Sequence, residues 1–505
     1  MFDVIPSYEK ATLVAGAAIL LGVLWVIGVV IYRLRFHALA NFPGPKFNAI
    51  SSIPTIRSLL QARRPMDIKI LHDKFGPVVR VGPNELTFNS AKAWRDIYLQ
   101  GMQKDAIHVG TVKGLPEALP MNMADEVTHS RLRRAIAPAF SAKAILEQED
   151  VIQAQVTRLM EVVHCMGNKK EVFNMAECYT ITTLNIILAL IFGEELGCLE
   201  EGESNDWAPI VSQTVKESAS EQAIRRLFGH GTILYRLLIG FIPVKLRAHM
   251  DKHLILSVSL ARRRLEANTV RKDLMSLIMQ QREIKGEISV DEILVNSAVL
   301  LFAGSQTTAS LLSALTYHLL GDKNTYTRLT TEIRSSFKDE DEICSKYVAK
   351  LPFLNACIEE ALRIFPPAPI GLPRTVPKEG ALIDGHLVPG GVTVSVVSWS
   401  ATHNAANFQD PDSFSPNRWI DKDKHHGDTR AASQPFGLGP RACIGKYLAY
   451  LEARLIICRL LWNFDLVPAD SMTQWDPSGE MKYMKTFTVW QDIILNTKAV
   501  PVERC

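Results

Sequence analysis

The stretch that decides the fold is residues 435–446, which read P-F-G-L-G-P-R-A-C-I-G-K. It places Cys443 in a glycine-rich loop that leads into a predicted helix from about Ile444 to Asn463. The partial positive charge of a helix N-terminus and the full charge of Arg441 both favour a thiolate over a thiol here. Such a thiolate is either a nucleophile or a metal ligand, and the loop alone leaves both open. A cysteine nucleophile commonly pairs with a histidine, for which the sequence gives no cue.

Upstream of this loop, the pattern predicts an unusually long buried helix over 289–320. Ser289 and Glu292 have the spacing of a capping box, and the residues that follow are apolar on nearly all sides. The centre reads A-G-S-Q-T-T over 303–308, although Gly costs about 1 kcal/mol in a helix interior and Ser and Thr compete for backbone hydrogen bonds. This weakness indicates that another group packs against the helix midpoint. A kink with satisfied hydroxyls explains the segment equally well.

The remaining sequence indicates a mainly helical body with a small β portion. Residues 78–88 predict a hairpin around Gly-Pro-Asn, and residues 125–335 have a helical texture with few prolines. Proline and glycine become frequent from 366 to 440, which predicts loops and short strands. With no internal repeat or low-complexity linker, we expect one large domain over 41–505.

Composition excludes several classes of protein. The chain carries 56 Lys+Arg against 53 Asp+Glu, a net charge of +3, and 47% hydrophobic residues. These values are typical of globular proteins and speak against a disordered or nucleic-acid-coating chain, so no nucleic-acid partner is expected. Eight cysteines in 505 residues, with no C-x-x-C pair, also exclude a disulfide scaffold, a zinc ribbon and a thioredoxin-type motif.

The N-terminus has the composition of a membrane anchor. No charged residue occurs over 11–32, and spanning the hydrocarbon core takes ~20 helical residues. Because Arg33 and Arg35 follow this run, the positive-inside rule places the body in the cytosol. The alternative is a signal peptide cleaved after Ala38-Leu39-Ala40, but the start is not basic and the apolar run is too long. We therefore expect residues 1–40 to form the anchor, followed by a stiff Pro-Gly-Pro hinge.

The cysteine loop resembles the haem loop of the cytochrome P450 family. The fixed positions of the family pattern F-x-x-G-x-R-x-C-x-G are occupied here by Phe436, Gly439, Arg441, Cys443 and Gly445. The resemblance covers nearly the whole chain. It extends to the E-x-x-R helix at Glu360-Ala361-Leu362-Arg363, the segment Phe414-Ser415-Pro416-Asn417-Arg418-Trp419, the oxygen-binding stretch Ala303–Thr308, and the propionate-binding helix at His129-Ser130-Arg131-Leu132-Arg133. The anchor and hinge match the microsomal branch, and phrases such as KFGPVVRVGPNELTF are similar to fungal enzymes of secondary metabolism.

This resemblance implies a P450 fold, mainly α with a small β portion, and haem b with Cys443 as the axial ligand of iron. Gly439 and Gly445 are expected to let the backbone pass close to the porphyrin and donate N–H bonds toward sulfur, and Phe436 to shield the sulfur. Two buried propionates need neutralising partners. The candidates are His129, Arg133, Arg374 and Arg441. A buried network of Glu360, Arg363 and Arg418 is expected to fix the loop below the haem.

The resemblance also assigns the long helix to the distal side of the haem. Gly304 is expected to make room for dioxygen, Thr307 to direct protons to it, and Ala303 with Phe302 to shape the pocket. Family members usually carry Asp or Glu immediately before the threonine, where this chain has Gln306. A carboxylate relays a proton by ionising and an amide cannot, so efficient proton delivery is placed in doubt.

Substrate contacts are expected from three segments: residues 104–123, residues 370–372 (Ile-Gly-Leu), and the neighbourhood of Phe487. Their residues are apolar or small, which indicates a lipophilic small molecule. Plain core packing explains each of these residues equally well.

The implied function is a monooxygenase that hydroxylates or epoxidises such a molecule with O2, in fungal secondary metabolism. Electrons are expected from NADPH–cytochrome P450 reductase, with cytochrome b5 as a second candidate donor, at the endoplasmic reticulum membrane with the body facing the cytosol. One alternative is a haem-thiolate isomerase, dehydratase or ring-coupling enzyme, which Gln306 favours. A second is a non-catalytic haem-binding protein, against which Gly304 and Thr307 argue.

Overall fold

The computed structural model describes residues 7–108, 118–194, 207–229, 232–267, 273–421, 423, 425–469, 481 and 483–503. The α-helices of these residues are α1 (Ser7–Ile31), α2 (Lys46–Ile50), α3 (Ile53–Leu60), α4 (Arg64–Phe75), α5 (Ala91–Tyr98), α6 (Glu126–Ile136), α7 (Ala142–Leu146), α8 (Glu149–Lys169), α9 (Met175–Phe192), α10 (Trp207–Phe228), α11 (Ile233–Leu238), α12 (Val244–Glu266), α13 (Leu274–Lys285), α14 (Val290–Gly321), α15 (Lys323–Ser336), α16 (Ser345–Val348), α17 (Pro352–Ile364), α18 (Ser398–Thr402), α19 (Asn417–Ile420) and α20 (Lys446–Asn463).

The strands are short and belong to small sheets: β1 (Val78–Gly82), β2 (Glu85–Phe88), β3 (Gln103–Lys104), β4 (Phe173–Asn174), β5 (Arg374–Thr375), β6 (Ala381–Ile383), β7 (His386–Val388), β8 (Thr393–Val396), β9 (Phe464–Pro468), β10 (Lys485–Thr486), β11 (Trp490–Gln491) and β12 (Asn496–Pro501). The largest sheet has the order β1-β2-β8-β5-β3, a second has the order β4-β12-β9, and β6-β7 and β10-β11 are two-stranded. The mainly helical architecture with a small β portion is therefore confirmed.

The predicted hairpin is formed by β1 and β2, which pair antiparallel with Val78 opposite Phe88. β2 then pairs in parallel with β8, so Phe88 also faces Val396 across the sheet. Both strands are buried along their whole length, as expected for a sheet covered on both faces. This sheet supplies two later parts of the site, Glu85 in β2 and Arg374 in β5.

The long buried helix is α14, and its capping box is present: the Ser289 hydroxyl accepts from the Glu292 N–H while the Glu292 carboxylate accepts from the Ser289 N–H. Two bonds at one end satisfy backbone groups that the helix itself leaves free. Most of α14 is buried, and it packs along α9, itself apolar on nearly all sides. The predicted final helix is also present as α20, which begins at Lys446 rather than Ile444.

The predicted anchor is a continuous helix, α1, that passes into one π-helical turn at Tyr32–Phe36. Three helices of the described residues are long and apolar enough to span a membrane. Met175–Phe192 and Val290–Gly321 are largely buried in the core, whereas Thr12–Phe36 is not buried at all. Length and composition therefore make the N-terminal helix a candidate span, while the other two helices are explained by burial in the body.

Side chains of the sheet fasten the hinge that follows this helix. The buried Arg80 of β1 donates from Nη1 to the Arg33 and Leu39 carbonyl oxygens, at 2.9 and 3.3 Å. The Arg80 N–H also donates to the Pro43 carbonyl oxygen at 2.7 Å. β1 thus holds the segment between the N-terminal helix and the hinge through both its backbone and the Arg80 side chain.

Candidate active site

The loop before α20 holds Cys443 through backbone hydrogen bonds. The Cys443 N–H donates to the Phe436 carbonyl oxygen at 2.7 Å, which closes the loop on itself. Burial raises the pKa of the Cys443 thiol, while the Gly445 N–H, Arg133 and Lys446 lower it. The sequence predicted that Arg441 would supply the nearby positive charge. The Arg441 guanidinium contacts the Glu126 carboxylate at 3.2 Å and the Ala124 carbonyl oxygen at 3.0 Å, and the positive charges that act on Cys443 are those of Arg133 and Lys446.

The two glycines of this loop have different functions. Gly445 places its N–H on the Cys443 sulfur, as expected. Gly439 has φ +75°, and a Cβ there would collide with the carbonyl oxygen of Tyr98. Its small size is therefore required by the close approach of α5, a contact that the sequence did not indicate. The Phe436 ring lies 5.1 Å from the Tyr450 ring, which fixes its orientation beside the cysteine.

A cluster of basic side chains lies next to the loop. It consists of His129 and Arg133 on α6, Arg374 on β5, Arg441, and Lys104 on β3. Burial and the positive charges of the other four members together lower the pKa of His129 to about 4. Burial lowers the pKa of Lys104 to about 7, with Arg441 and Arg374 contributing. We call these five residues the cation cluster.

The cation cluster has too few acidic partners among the described residues. Glu126 pairs with Arg441, while Arg133 and Arg374 donate to backbone carbonyl oxygens of Ala442 and of Leu372 and Pro373. The buried Nδ1 of His129 has no hydrogen-bond partner. Like charges held together in a partly buried place are unfavourable without a counter-charge. The geometry therefore fits an anionic ligand, and the four residues predicted to bind propionates lie together.

Lys104 belongs to this cluster and was missed by sequence reasoning. The antiparallel pairing of β3 with β5 sets Lys104 directly opposite Arg374, and its Nζ donates to the Asn122 carbonyl oxygen. Like charges on opposite positions of a strand pair are destabilising by themselves. Only the pairing of two distant strands reveals this lysine, so no local motif could have indicated it.

The midpoint of α14 presents Ala303, Gln306 and Thr307 on one face, because residues three and four apart are neighbours on a helix. Ala303 is exposed and the other two are half-buried, in a helix that is otherwise mostly buried. The Thr307 hydroxyl donates to the Ala303 carbonyl oxygen at 2.7 Å, which leaves the oxygen lone pairs free to accept. No hydrogen bond of the Gln306 amide to another described residue is present. This strip is therefore the accessible part of α14.

Gly304 packs against a side chain of α9. A Cβ on Gly304 would come within 2.9 Å of the Ile187 Cγ1 atom on α9. The space left by the missing side chain is thus occupied by Ile187. Gly304 permits the close packing of α14 on α9, and its expected place beside dioxygen stays a prediction.

Comparison with known proteins identifies the family of this chain. Residues 48–487 match the family described as "Cytochrome P450". This chain belongs to the cytochrome P450 family. It is 38% identical over 493 residues to cytochrome P450 monooxygenase ABA2 of Pyricularia oryzae, covering 94% of each chain. It is 35% identical over 498 residues to cytochrome P450 monooxygenase astA of Talaromyces wortmannii, covering 98% of each. The protein is accordingly a cytochrome P450 monooxygenase, an oxidoreductase.

P450 enzymes carry iron in a haem with a cysteine thiolate ligand, and the residues of this P450 fit that group. Cys443 would supply the thiolate, and a Gly445 N–H is directed at its sulfur. The cation cluster would supply the charge that two propionates need, and the buried Nδ1 of His129, which has no hydrogen-bond partner among the described residues, is one donor that they would use. These are separate observations on separate elements, and they agree on one ligand.

A buried ionic network joins α17 to α19 and to the loop that carries Asp428. Glu360 of α17 accepts from Arg363 Nε and Nη2 at 2.9 and 2.8 Å, and from Arg418 Nε at 2.9 Å. Arg418 also donates to Asp428 at 2.6 Å. All four side chains are at most 1% exposed. The structure thus joins the three residues named from the sequence and adds Asp428, which no motif indicated.

Glu452 of this P450 is a second residue that sequence reasoning missed. It is fully buried in α20, and neither carboxyl oxygen has a hydrogen-bond partner within 3.5 Å among the described residues. Burial raises its pKa to about 8, and the nearby Thr308 hydroxyl lowers it only in part. Glu452 therefore holds a proton at neutral pH, between α20 and the buried side of α14 at Thr308.

Two of the predicted substrate segments come together at one narrow cleft with a volume of about 20 Å³. Ile370, Gly371 and Phe487 all line it, whereas Leu372 does not. Part of the third segment, residues 109–117, lies outside the described residues. Charged residues also line the cleft, Arg226 of α10 among them. Charged residues beside these segments had not been expected from the sequence.

Proposed function

We propose that this P450 inserts one oxygen atom of O2 into a lipophilic small molecule, by hydroxylation or epoxidation, and releases the other atom as water. The balance requires two electrons and two protons for each O2. The proposal is carried by the Cys443 sulfur held against the Gly445 N–H beside the cation cluster. Haem b bound there with a thiolate ligand supplies the activation of O2.

Protons would be handled by the accessible strip of α14. The Thr307 hydroxyl donates to Ala303 and retains lone pairs that accept from water or substrate. Gln306 beside it hydrogen-bonds but does not ionise, so it orients a water molecule rather than carrying a proton itself. The protonated carboxyl of Glu452 lies near Thr308 on the buried side of the same helix. Proton supply in this P450 therefore depends on ordered water more than on an acidic neighbour of Thr307.

Electrons would come from NADPH through NADPH–cytochrome P450 reductase, with cytochrome b5 as a further donor, at the face near Cys443. The apolar helix Thr12–Phe36 would hold the body on the cytosolic side of the endoplasmic reticulum membrane, since Arg33 and Arg35 lie on its body side. The relatives are fungal P450 monooxygenases, which supports a role in secondary metabolite biosynthesis.

Reconstitution with reductase tests this proposal. The purified enzyme, NADPH and an extract of candidate metabolites should consume NADPH and O2 and yield a product heavier by one oxygen atom. Mass spectrometry with ¹⁸O2 identifies the source of that atom. Product formation without NADPH consumption would instead indicate an isomerase, dehydratase or ring-coupling enzyme, and neither event would indicate a non-catalytic haem protein.

A further inference from the structure

Two aromatic rings and two positive charges lie in contact with one another next to the cysteine loop. The Phe436 ring lies 5.1 Å from the Tyr450 ring. Lys446 Nζ lies 5.6 Å from the centre of the Phe436 ring and 5.9 Å from the centre of the Tyr450 ring. The guanidinium carbon of Arg454 lies 5.0 Å from the centre of the Tyr450 ring. Cations are attracted to aromatic faces at such distances. We call these four residues the ring–cation stack.

The ring–cation stack is continuous with the cysteine loop. Lys446, Tyr450 and Arg454 follow one another at intervals of four residues, so α20 places their side chains on one face. Phe436 joins them from the loop, and its carbonyl oxygen accepts from the Cys443 N–H at 2.7 Å. The residue that carries the second ring is therefore bonded directly to the cysteine.

The Tyr450 ring is held at its far end by α17. Its hydroxyl donates to Glu359 Oε1 at 2.6 Å, and Arg454 Nε donates to Asn355 Oδ1 at 2.8 Å. Burial and the neighbouring Glu359 carboxylate raise the pKa of Tyr450, so its hydroxyl keeps the proton that it donates. Tyr450 therefore cannot turn away from Lys446 without losing a short hydrogen bond.

Lys446 is the member of the stack whose charge acts on the cysteine. Burial raises the pKa of the Cys443 thiol, and Arg133 and Lys446 are the two side chains whose charges lower it. No salt bridge joins Lys446 to an acidic side chain of the described residues, and its ammonium group lies over the two rings instead. The position of this charge therefore depends on Phe436 and Tyr450.

We propose that Tyr450 is a positioning residue that, through Lys446, sets the reduction potential of the haem iron held by Cys443. This inference rests on the proposed function, in which the reductase supplies electrons one at a time. Each transfer oxidises the flavin of the reductase by one electron and reduces ferric iron to ferrous iron. The iron and its thiolate then carry one more negative charge, and a positive charge fixed nearby favours that reduced state. Displacing the Lys446 charge should therefore lower the potential.

Redox titration of the full-length, haem-loaded enzyme in detergent at low ionic strength tests this proposal. Tyr450→Leu removes a ring that holds Lys446, and Lys446→Gln removes the charge itself. We expect each variant to shift the equilibrium roughly three- to tenfold toward ferric iron, which is roughly 30–60 mV at about 59 mV per tenfold for one electron. Lys446→Arg keeps a cation over the rings and should keep the wild-type potential.

Tyr447→Leu is the matched control. Tyr447 is an exposed tyrosine of the same helix and does not belong to the stack, so its replacement should leave the potential unchanged. Tyr450→Leu combined with Lys446→Gln tests the route, because a residue that acts through Lys446 has no effect once that charge is gone. The double variant should have the potential of Lys446→Gln alone. Because Lys446 is exposed, Lys446→Gln keeps the proposal testable if Tyr450→Leu does not fold.

Several results would overturn the inference. An unchanged potential in Lys446→Gln, even with weaker binding of the reductase, would show that this charge does not act on the iron. Additive shifts in the double variant, or an equal shift in Tyr447→Leu, would show that Tyr450 acts by packing. The ¹⁸O2 product assay of the wild type is run in parallel. Labelled product with unchanged potentials would reject the inference and leave the proposed function standing, whereas the expected shifts without product would reject the oxygen insertion alone.

Discussion

Replacing Glu360 by glutamine should strongly destabilise the protein. Its carboxylate accepts five N–H bonds: three on Oε1, from Arg363, Arg418 and Ser415, and two on Oε2, from Arg363 and Trp419. An amide nitrogen in the Oε2 position would lose at least two of these bonds. The four charges of the network, two arginines against Glu360 and Asp428, would change from balanced to a net +1. Removing one partner from a buried ion pair costs about 3–5 kcal/mol.

That change is a large part of the ~5–15 kcal/mol by which a folded domain is stable. Urea unfolding of the detergent-solubilised protein, followed by far-ultraviolet circular dichroism, measures the difference in the free energy of unfolding. Glu359→Gln is the matched control, since Glu359 is the preceding residue on α17, half-buried, and accepts one bond from Tyr450. We expect the control to cost less than about 1 kcal/mol. Equal losses for the two variants would refute the buried network as a source of stability.

Three further changes test other parts of the account. Burial raises the pKa of Glu452 to about 8 from an ordinary 4.5, so the free energy of unfolding of the wild type should fall as pH rises from about 5 to 8. Glu452→Gln should abolish that fall in urea unfolding. The same dependence on pH in the wild type and the variant would contradict this prediction. Deleting residues 1–40 should move the protein from the membrane to the soluble fraction with haem binding retained; soluble full-length protein without detergent would reject the anchor. Gln306→Glu should raise the fraction of NADPH recovered as product and lower peroxide release, if proton delivery is limiting; unchanged coupling would exclude that limit.

Local sequence patterns predicted the elements that are formed by contacts between nearby residues. The capping box and all-round hydrophobicity predicted α14, alternating β-rich residues predicted the β1–β2 hairpin, and fixed spacing predicted the cysteine loop. Each of these depends on residues within a few turns or one hairpin of each other. The presence of these elements could therefore be predicted from the sequence, with errors of only a few residues at their ends.

Features created by contacts between distant segments could not be read in this way. Lys104 joins the cation cluster only through the pairing of β3 with β5, and Asp428 joins the buried network only because its loop folds back onto Arg418. The contact of Gly304 with Ile187 could not be predicted, because Ile187 belongs to another helix. Arg64, Glu85 and Arg226 likewise meet only because α4, β2 and α10 pack together. All four features depend on tertiary packing, which no periodicity in the sequence indicates.

The most direct test of the central claim is the absorption spectrum of the reduced carbon monoxide complex. Cys443→Ser replaces the sulfur by a hydroxyl, which is a much weaker donor at neutral pH, while Cys165→Ser changes an exposed cysteine of α8 and serves as the control. If Cys443 is the axial thiolate, the wild type and the control show the strongly red-shifted Soret band of a thiolate complex, and Cys443→Ser lacks it. Retention of that band in Cys443→Ser would contradict the account.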